Sequence, residues 1–172
     1  MSKTVKRIWN AITTILVSLM VILAFLLWGF PLLGMEVFVV QSGSMEPAYP
    51  VGALVYVKET DASKLEAGDV ITFEMGGGVR GTHRIIEVVE ENGTPAFRTK
   101  GDANEIADSS LVAASDLVGK VIFSIPNLGF LVSYIQQPPG IYIAFSAAAV
   151  ILILLVLPDI IFADKKKQEA AK

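Results

Sequence analysis

The chain contains no cysteine and a single histidine, His83, among its 172 residues. Without cysteine there is no disulfide, no thiolate nucleophile and no thiolate metal site, and one imidazole leaves only carboxylates to complete a ligand set. Neither a metal nor a cofactor is expected. Basic residues are outnumbered: 14 Lys and Arg stand against 17 Asp and Glu, a formal charge of −3, and the pI is about 5.2. No basic patch is available to hold phosphates, so nucleic acid is not an expected partner. Charged residues make up only 18% of the chain against 53% hydrophobic ones, with a mean hydropathy of +0.58. Such a chain is too apolar for a soluble domain of this size, and part of it is expected in lipid.

The charge-free run Ile8 to Met35 exceeds the roughly 20 helical residues that span a hydrocarbon core. Trp9 and Trp28 near its ends suit the two interfaces. The run is also far longer than the roughly 7–15 residues of a cleavable signal's apolar region, so a retained anchor is expected. A second, shorter run, Ile141 to Leu157, extends to Phe162 if Pro158 and Asp159 sit at the boundary. Lys3, Lys6 and Arg7 precede the first run and Lys165, Lys166 and Lys167 follow the second. Under the positive-inside rule both ends are cytoplasmic and everything between lies on the other side. The expected layout is residues 1–35 as cytoplasmic terminus and first span, 36–137 as an extracytoplasmic domain, and 138–172 as second span and basic tail.

The middle segment reads as β structure. Leu54–Val57, Val70–Phe73, Ile85–Val89 and Leu117–Phe123 are short, β-branched and bounded by turn residues. Asn92-Gly93, between Val88-Val89 and Ala96-Phe97-Arg98, is a hairpin signal because both residues tolerate positive φ. Gly76-Gly77-Gly78 reads as a flexible link to the strand that carries His83. About 100 residues suffice for one closed or partly closed sheet. The apolar stretch Ile125 to Val132, broken by Pro126 and Gly129, is expected against lipid headgroups or returning the chain to the bilayer.

Ser42-Gly43-Ser44-Met45-Glu46-Pro47 lies just beyond the first span, His83 follows on a predicted strand, and Asp102 and Asp108 come later. A serine hydroxyl is a poor nucleophile until a base takes its proton and a third group orients that base. Imidazole, with an ordinary pKa of about 6.5, accepts such a proton at neutral pH without extreme desolvation. Taken alone, a Ser-Gly-Ser loop is a common polar turn, a lone histidine on a strand is more often a packed side chain, and an Asp after Gly commonly caps its own backbone.

Taken in order, Ser42 to Pro47, Val51 to Val55, Gly68-Asp69-Val70-Ile71, Thr82-His83-Arg84-Ile85, Lys100-Gly101-Asp102 and Ala107-Asp108-Ser109 resemble the successive boxes of type I signal peptidase. The likeness runs from about Ser42 to Ile122. Bacterial members place lysine where His83 stands, so the chain resembles instead the histidine-bearing endoplasmic-reticulum and archaeal branch, which includes the histidine-bearing enzymes of some Gram-positive bacteria. The resemblance implies Ser44 as nucleophile, His83 as general base and Ser42 as a hydroxyl helping the Ser44 N–H form the oxyanion hole. Asp108 is the favoured partner of His83, with Asp102 the alternative. Glu105 and Asp116 read as solvated charges, and Lys100 as a turn lysine. The implied fold is mainly β, a small curved antiparallel domain anchored by the N-terminal helix and a second, C-terminal one. The implied activity is a membrane-bound serine endopeptidase, multi-pass in the cell or endoplasmic-reticulum membrane. It would cut signal peptides after small residues from secretory preproteins leaving the translocation channel. The rival reading is a non-catalytic β module on a membrane anchor that binds exported chains. Partner subunits are not identified by any residue pattern.

Overall fold

The computed structural model describes residues 3–91 and 93–170, apart from the side chains of Lys3, Trp28 and residues 157–170. The interfacial role expected of Trp28, the charge signal of Lys3 and of Lys165 to Lys167, and Asn92 of the hairpin turn therefore fall outside the described residues. Leu27–Ser133 forms one compact unit, and the described residues before and after it form another.

Helix α1, Lys3–Ala24, lies in the segment Thr4–Leu27, which has a mean hydropathy of 2.4 and none of its window buried. Among the described residues this is the helix long and apolar enough to cross a membrane by itself. Its hydroxyl at Thr13 donates back to the carbonyls of Trp9 at 3.0 Å and Asn10 at 3.1 Å, so this hydroxyl is satisfied within the helix. The charge-free run does not stay in one helix. A π-helical turn, Phe25–Gly29, leads into the short α2, Phe30–Leu32, and Gly34, at φ 77°, turns the chain into β1. Pro31 supplies no N–H to an α-helical ladder, which is why the helix cannot continue as composition alone would allow. Near the other end, α3 (Leu128–Ile135) and α4 (Gly140–Ala170) meet the same length and apolarity only when Leu128–Ile135 and Gly140–Val156 are counted together as one broken span.

Seven strands among the described residues form a single antiparallel sheet: β1 Met35–Val39, β2 Leu54–Lys58, β3 Val70–Glu74, β4 Arg80–Glu91, β5 Thr94–Lys100, β6 Val112–Ala113 and β7 Leu117–Ile125, in the order β1-β2-β7-β3-β4-β5-β6. The four predicted strands are β2, β3, β4 and β7. Gly76 to Gly78 form the tight β3–β4 turn, all at positive φ, and the β4–β5 pairing closes at Glu91 opposite Thr94.

The sheet is strongly curved. A flat sheet would separate β1 from β4 by four strand spacings, about 19 Å, yet Arg80 Nη1 on β4 donates to Glu36 Oε2 on β1 at 2.6 Å. Curling buries both faces of the central strands. Val70 joins a cluster with Met45, Val55, Val57 and Val121; its neighbour Ile71, on the opposite face, joins Leu65, Phe73, Ile85, Phe97 and Val112. Each fully buried side chain of this size contributes about 1.5–3 kcal/mol. Phe30 of α2 sits edge-on to Tyr56 and Phe123, which stack at 4.3 Å between centroids. Of the Ile125–Val132 stretch, Ile125 ends β7 and Leu128 to Val132 begin α3, held by the Gly129 N–H on Gly52 O at 2.9 Å.

Candidate active site

Ser44 occupies a 3₁₀ turn, Gly43–Met45, entered from an extended Ser42. Met45, 2% exposed, plugs into the cluster with Val55, Val57, Val70 and Val121, so the residue next to Ser44 is fixed by the core. The Ser44 carbonyl accepts the Ala103 N–H at 2.9 Å. Gly101 approaches the same oxygen so closely that a Cβ there would lie 2.5 Å from it. The turn is thus fixed through Met45 and the Ser44 carbonyl, and the Ser44 hydroxyl faces His83 of β4.

His83 lies on β4 opposite Ile71 of β3. Its Nε2 is 3.2 Å from Ser44 Oγ and its Nδ1 is 2.6 Å from Asp108 Oδ2. An ionised carboxylate can only accept hydrogen bonds, so this network puts the neutral ring's proton on Nδ1. Nε2 is left with a lone pair directed at the Ser44 hydroxyl, which donates. His83 and Asp108 side chains are 14% and 25% exposed, shielded enough to strengthen both bonds relative to water.

Asp102 goes elsewhere. Arg84 Nε and Nη2 donate to its two carboxylate oxygens at 2.8 and 2.6 Å, and Arg84 Nη1 donates to Gly68 O at 2.8 Å. Strand alternation explains the division: adjacent residues of β4 point to opposite faces, so His83 meets Ser44 and Asp108 while Arg84 meets Asp102. The hydrogen bond to Asp102 raises the Arg84 pKa above its already high ordinary value, so the clamp stays charged. Tyr49, packed against Met45's cluster, has its hydroxyl pKa raised chiefly by burial, with Arg84 opposing and Asp102 adding to the shift.

Ser42 Oγ lies 3.3 Å from Ser44 Oγ in an exposed position. Glu105 and Asp116 are exposed, and Lys100 ends β5 opposite Arg84. Sequence reasoning missed Thr99. It is fully buried, its hydroxyl donates to Asp108 Oδ2 at 2.6 Å, and its carbonyl accepts the Asp108 N–H at 2.9 Å. The available signal was its spacing from Phe97, two residues earlier on the same face of β5: a hydroxyl placed on a core face needs a polar partner.

The chain matches no family model. It is 47% identical over 75 residues to Signal peptidase I W of Bacillus subtilis, covering 43% of this chain and 40% of that protein. It is 32% identical over 128 residues to the human signal peptidase complex catalytic subunit SEC11C, covering 69% of this chain and 67% of that one. The chain belongs to the type I signal peptidase family, in its endoplasmic-reticulum-like branch. The catalytic subunit SEC11 of the yeast Scheffersomyces stipitis is similar too, at 28% over 132 residues, covering 72% of this chain and 78% of that protein. The match thus spans two fifths of the Bacillus relative and about two thirds of the human one. In this member of the family the box Thr82-His83-Arg84 is divided between two faces of β4, one carrying the Ser44–His83–Asp108 chain and the other the Arg84–Asp102 pair.

Proposed function

We propose that this chain is a membrane-anchored serine endopeptidase that removes signal peptides from secretory preproteins on the extracytoplasmic side of the membrane. The observation that carries the reading is the unbroken hydrogen-bond chain from Ser44 Oγ through His83 to Asp108, at 3.2 and 2.6 Å, in a member of the signal peptidase family. Ser44 Oγ attacks the scissile carbonyl carbon while His83 Nε2 takes its proton. The negative charge moves to the carbonyl oxygen, where the Ser44 N–H and the Ser42 hydroxyl donate to it; losing one such donor typically costs about 10²–10³ in rate. Asp108 holds the ring in the right tautomer and stabilises the imidazolium. The imidazolium then protonates the leaving amine as the C–N bond breaks, and the ester on Ser44 is hydrolysed by a water that His83 deprotonates. Asp102 acts with Arg84 to hold the loop behind Ser44.

Thr4–Leu27 spans the bilayer, with a second span through α4 that gives a multi-pass protein with both termini in the cytoplasm. The chain divides at residues 35 and 137 into span, catalytic domain, and second span with tail. An extended substrate pairs with a sheet edge through main-chain hydrogen bonds and is cut after small residues. The test is mass spectrometry of products from the purified full chain given a model preprotein. A single cut at the signal junction that Ser44→Ala abolishes is the expected result. Binding without a cut would show the chain to be a receptor for exported proteins.

A further inference from the structure

An open groove of about 560 Å³ lies beside the Ser44–His83–Asp108 chain, with Thr99 and Asp108 among the residues that line it. That volume is within the roughly 300–1,000 Å³ of ligand-binding clefts. One wall is the end of β3 and its turn, Phe73 to Gly76; the other is the segment Asp108 to Val112. Both walls are fastened to the sheet. Met75 lies across Gly81 of β4, where a Cβ would fall 2.7 Å from the Met75 Sδ. On the other side the Asp108 N–H donates to Thr99 O at 2.9 Å, and Val112 pairs with Phe97 of β5.

The groove adjoins the far side of the imidazole. Asp108 Oδ2 is 2.6 Å from His83 Nδ1, and the Phe73 ring stands edge-on to the His83 ring at 6.2 Å between centroids. A leaving amine must come within reach of Nε2 to take its proton, so the substrate chain on that side of the cut passes the ring. Ser44 Oγ and Asp108 are joined through the imidazole by bonds of 3.2 and 2.6 Å. At roughly 3.3–3.6 Å of extended chain per residue, a substrate that passes the ring reaches the groove about two residues after the cut. The charged side chains along the groove, Glu74, Asp108 and Asp116, are all acidic. Glu74 is held by Arg80 and Asp108 by His83. Asp116 is exposed, and among the described residues its carboxylate accepts only from the neighbouring Ser115 hydroxyl, at 3.3 Å.

We propose that this groove binds the segment of the substrate that follows the scissile bond, from about its second residue onward, and that Asp116 makes it select lysine or arginine over aspartate or glutamate there. The inference rests on the reading of the chain as a peptidase. A polypeptide is the occupant because the groove continues directly from the catalytic imidazole. The hydroxyls of Ser109 and Ser110, which also line it, supply donors and acceptors for an extended main chain. With no lysine or arginine along the groove, an acidic side chain of the substrate finds like charge there and a basic one finds Asp116.

The purified full chain in detergent is given two model preprotein peptides, one ending a single residue after the cut and one continuing for six, and kcat/KM is read by mass spectrometry of the products. Contacts remote from the reacting bond add to transition-state binding, so the long peptide is expected to be cut about tenfold or more better than the short one. Within the long peptide, lysine at the third position after the cut should be preferred to aspartate several-fold. Ser110→Trp, which fills the groove, should erase the advantage of length, and Asp116→Lys should reverse the order of lysine and aspartate. Melting temperatures are measured for both variants; Asp116→Lys alters only an exposed charge and carries the test should Ser110→Trp melt early. Equal kcat/KM for the short and long peptides in the parent overturns the proposal. So does an advantage of length that Ser110→Trp leaves unchanged in a folded protein, or an order of lysine and aspartate that Asp116→Lys does not alter. Failure of the parent to cut either peptide, or a cut that Ser44→Ala retains, refutes instead the peptidase reading on which the groove's role rests.

Discussion

Asp108→Asn keeps the shape of the side chain and removes its charge, and the size of the effect follows from the geometry. In the proposed reaction, attack by Ser44 leaves His83 positively charged with the Asp108 carboxylate 2.6 Å from its Nδ1. With charge centres about 4 Å apart and an effective dielectric near 20, that attraction is about 4 kcal/mol, or roughly three powers of ten in rate. The carboxylate oxygen concerned, Oδ2, also accepts from Thr99, so an amide that turns its NH₂ toward this oxygen's position leaves two donors facing a donor. We expect kcat to fall about 10³-fold or more with the melting temperature little changed. Asp102→Asn removes a bidentate bond to Arg84 in a pair 35% and 19% exposed, so it should cost stability instead, about 1–2 kcal/mol. For a domain of this size that is a fall in melting temperature of roughly 5–15 °C, with kcat reduced by less than about tenfold. Both quantities are measured on each variant in one detergent, with a preprotein peptide for activity and near-ultraviolet circular dichroism for melting. An Asp108→Asn enzyme of near-parental kcat refutes the reasoning. So does an Asp102→Asn enzyme that loses kcat by three powers of ten without melting earlier.

Ser44→Ala should abolish processing while folding and insertion persist, whereas the exposed Ser42→Ala should slow it by about 10–100-fold; equal residual rates would place the nucleophile wrongly. His83→Lys should be inactive despite the bacterial use of lysine, because Asp108 would hold the ammonium protonated. Gly101→Ala forces a methyl group onto the Ser44 carbonyl and the Asn104 side chain, so it should lower both melting temperature and kcat, at about 1–3 kcal/mol of stability. Thr99→Val should cost about 1 kcal/mol and loosen Asp108, with Thr99→Ser restoring activity toward the parental rate.

The strands that could be read in advance were those whose β-branched runs are bounded by turns, and their limits agree with the structure to within a residue or two for β2, β3 and β7. β1 was hidden because Val37, Phe38 and Val39 continue the apolar character of the preceding helix; composition does not mark the change at Gly34. β6, only Val112 and Ala113, is too short for any period to show. The box order brought Ser44, His83 and both aspartates to attention and favoured Asp108 by resemblance, but the residues alone gave no physical ground for that choice, because it depends on which face of β4 each meets and on the turn after β5. Thr99 was missed for the same reason: its neighbours Arg98 and Lys100 make the stretch look solvated until register turns it inward.

The placement of His83 and Arg84 side by side on β4 bears on how this protein can be lengthened or shortened. A one-residue insertion within the paired part of β4, between Arg80 and His83, would exchange their faces, sending the arginine to Ser44 and the imidazole to Asp102, so this stretch of the strand does not tolerate a change of length. Beyond the bulge between Ile85 and Glu87 the phase is reset, and the outer β4–β5 arm from Glu87 to Arg98 touches neither chain of bonds. That arm is the place to graft an affinity tag, a reporter or a partner-binding loop, because matched additions to its two strands leave the chemistry in register.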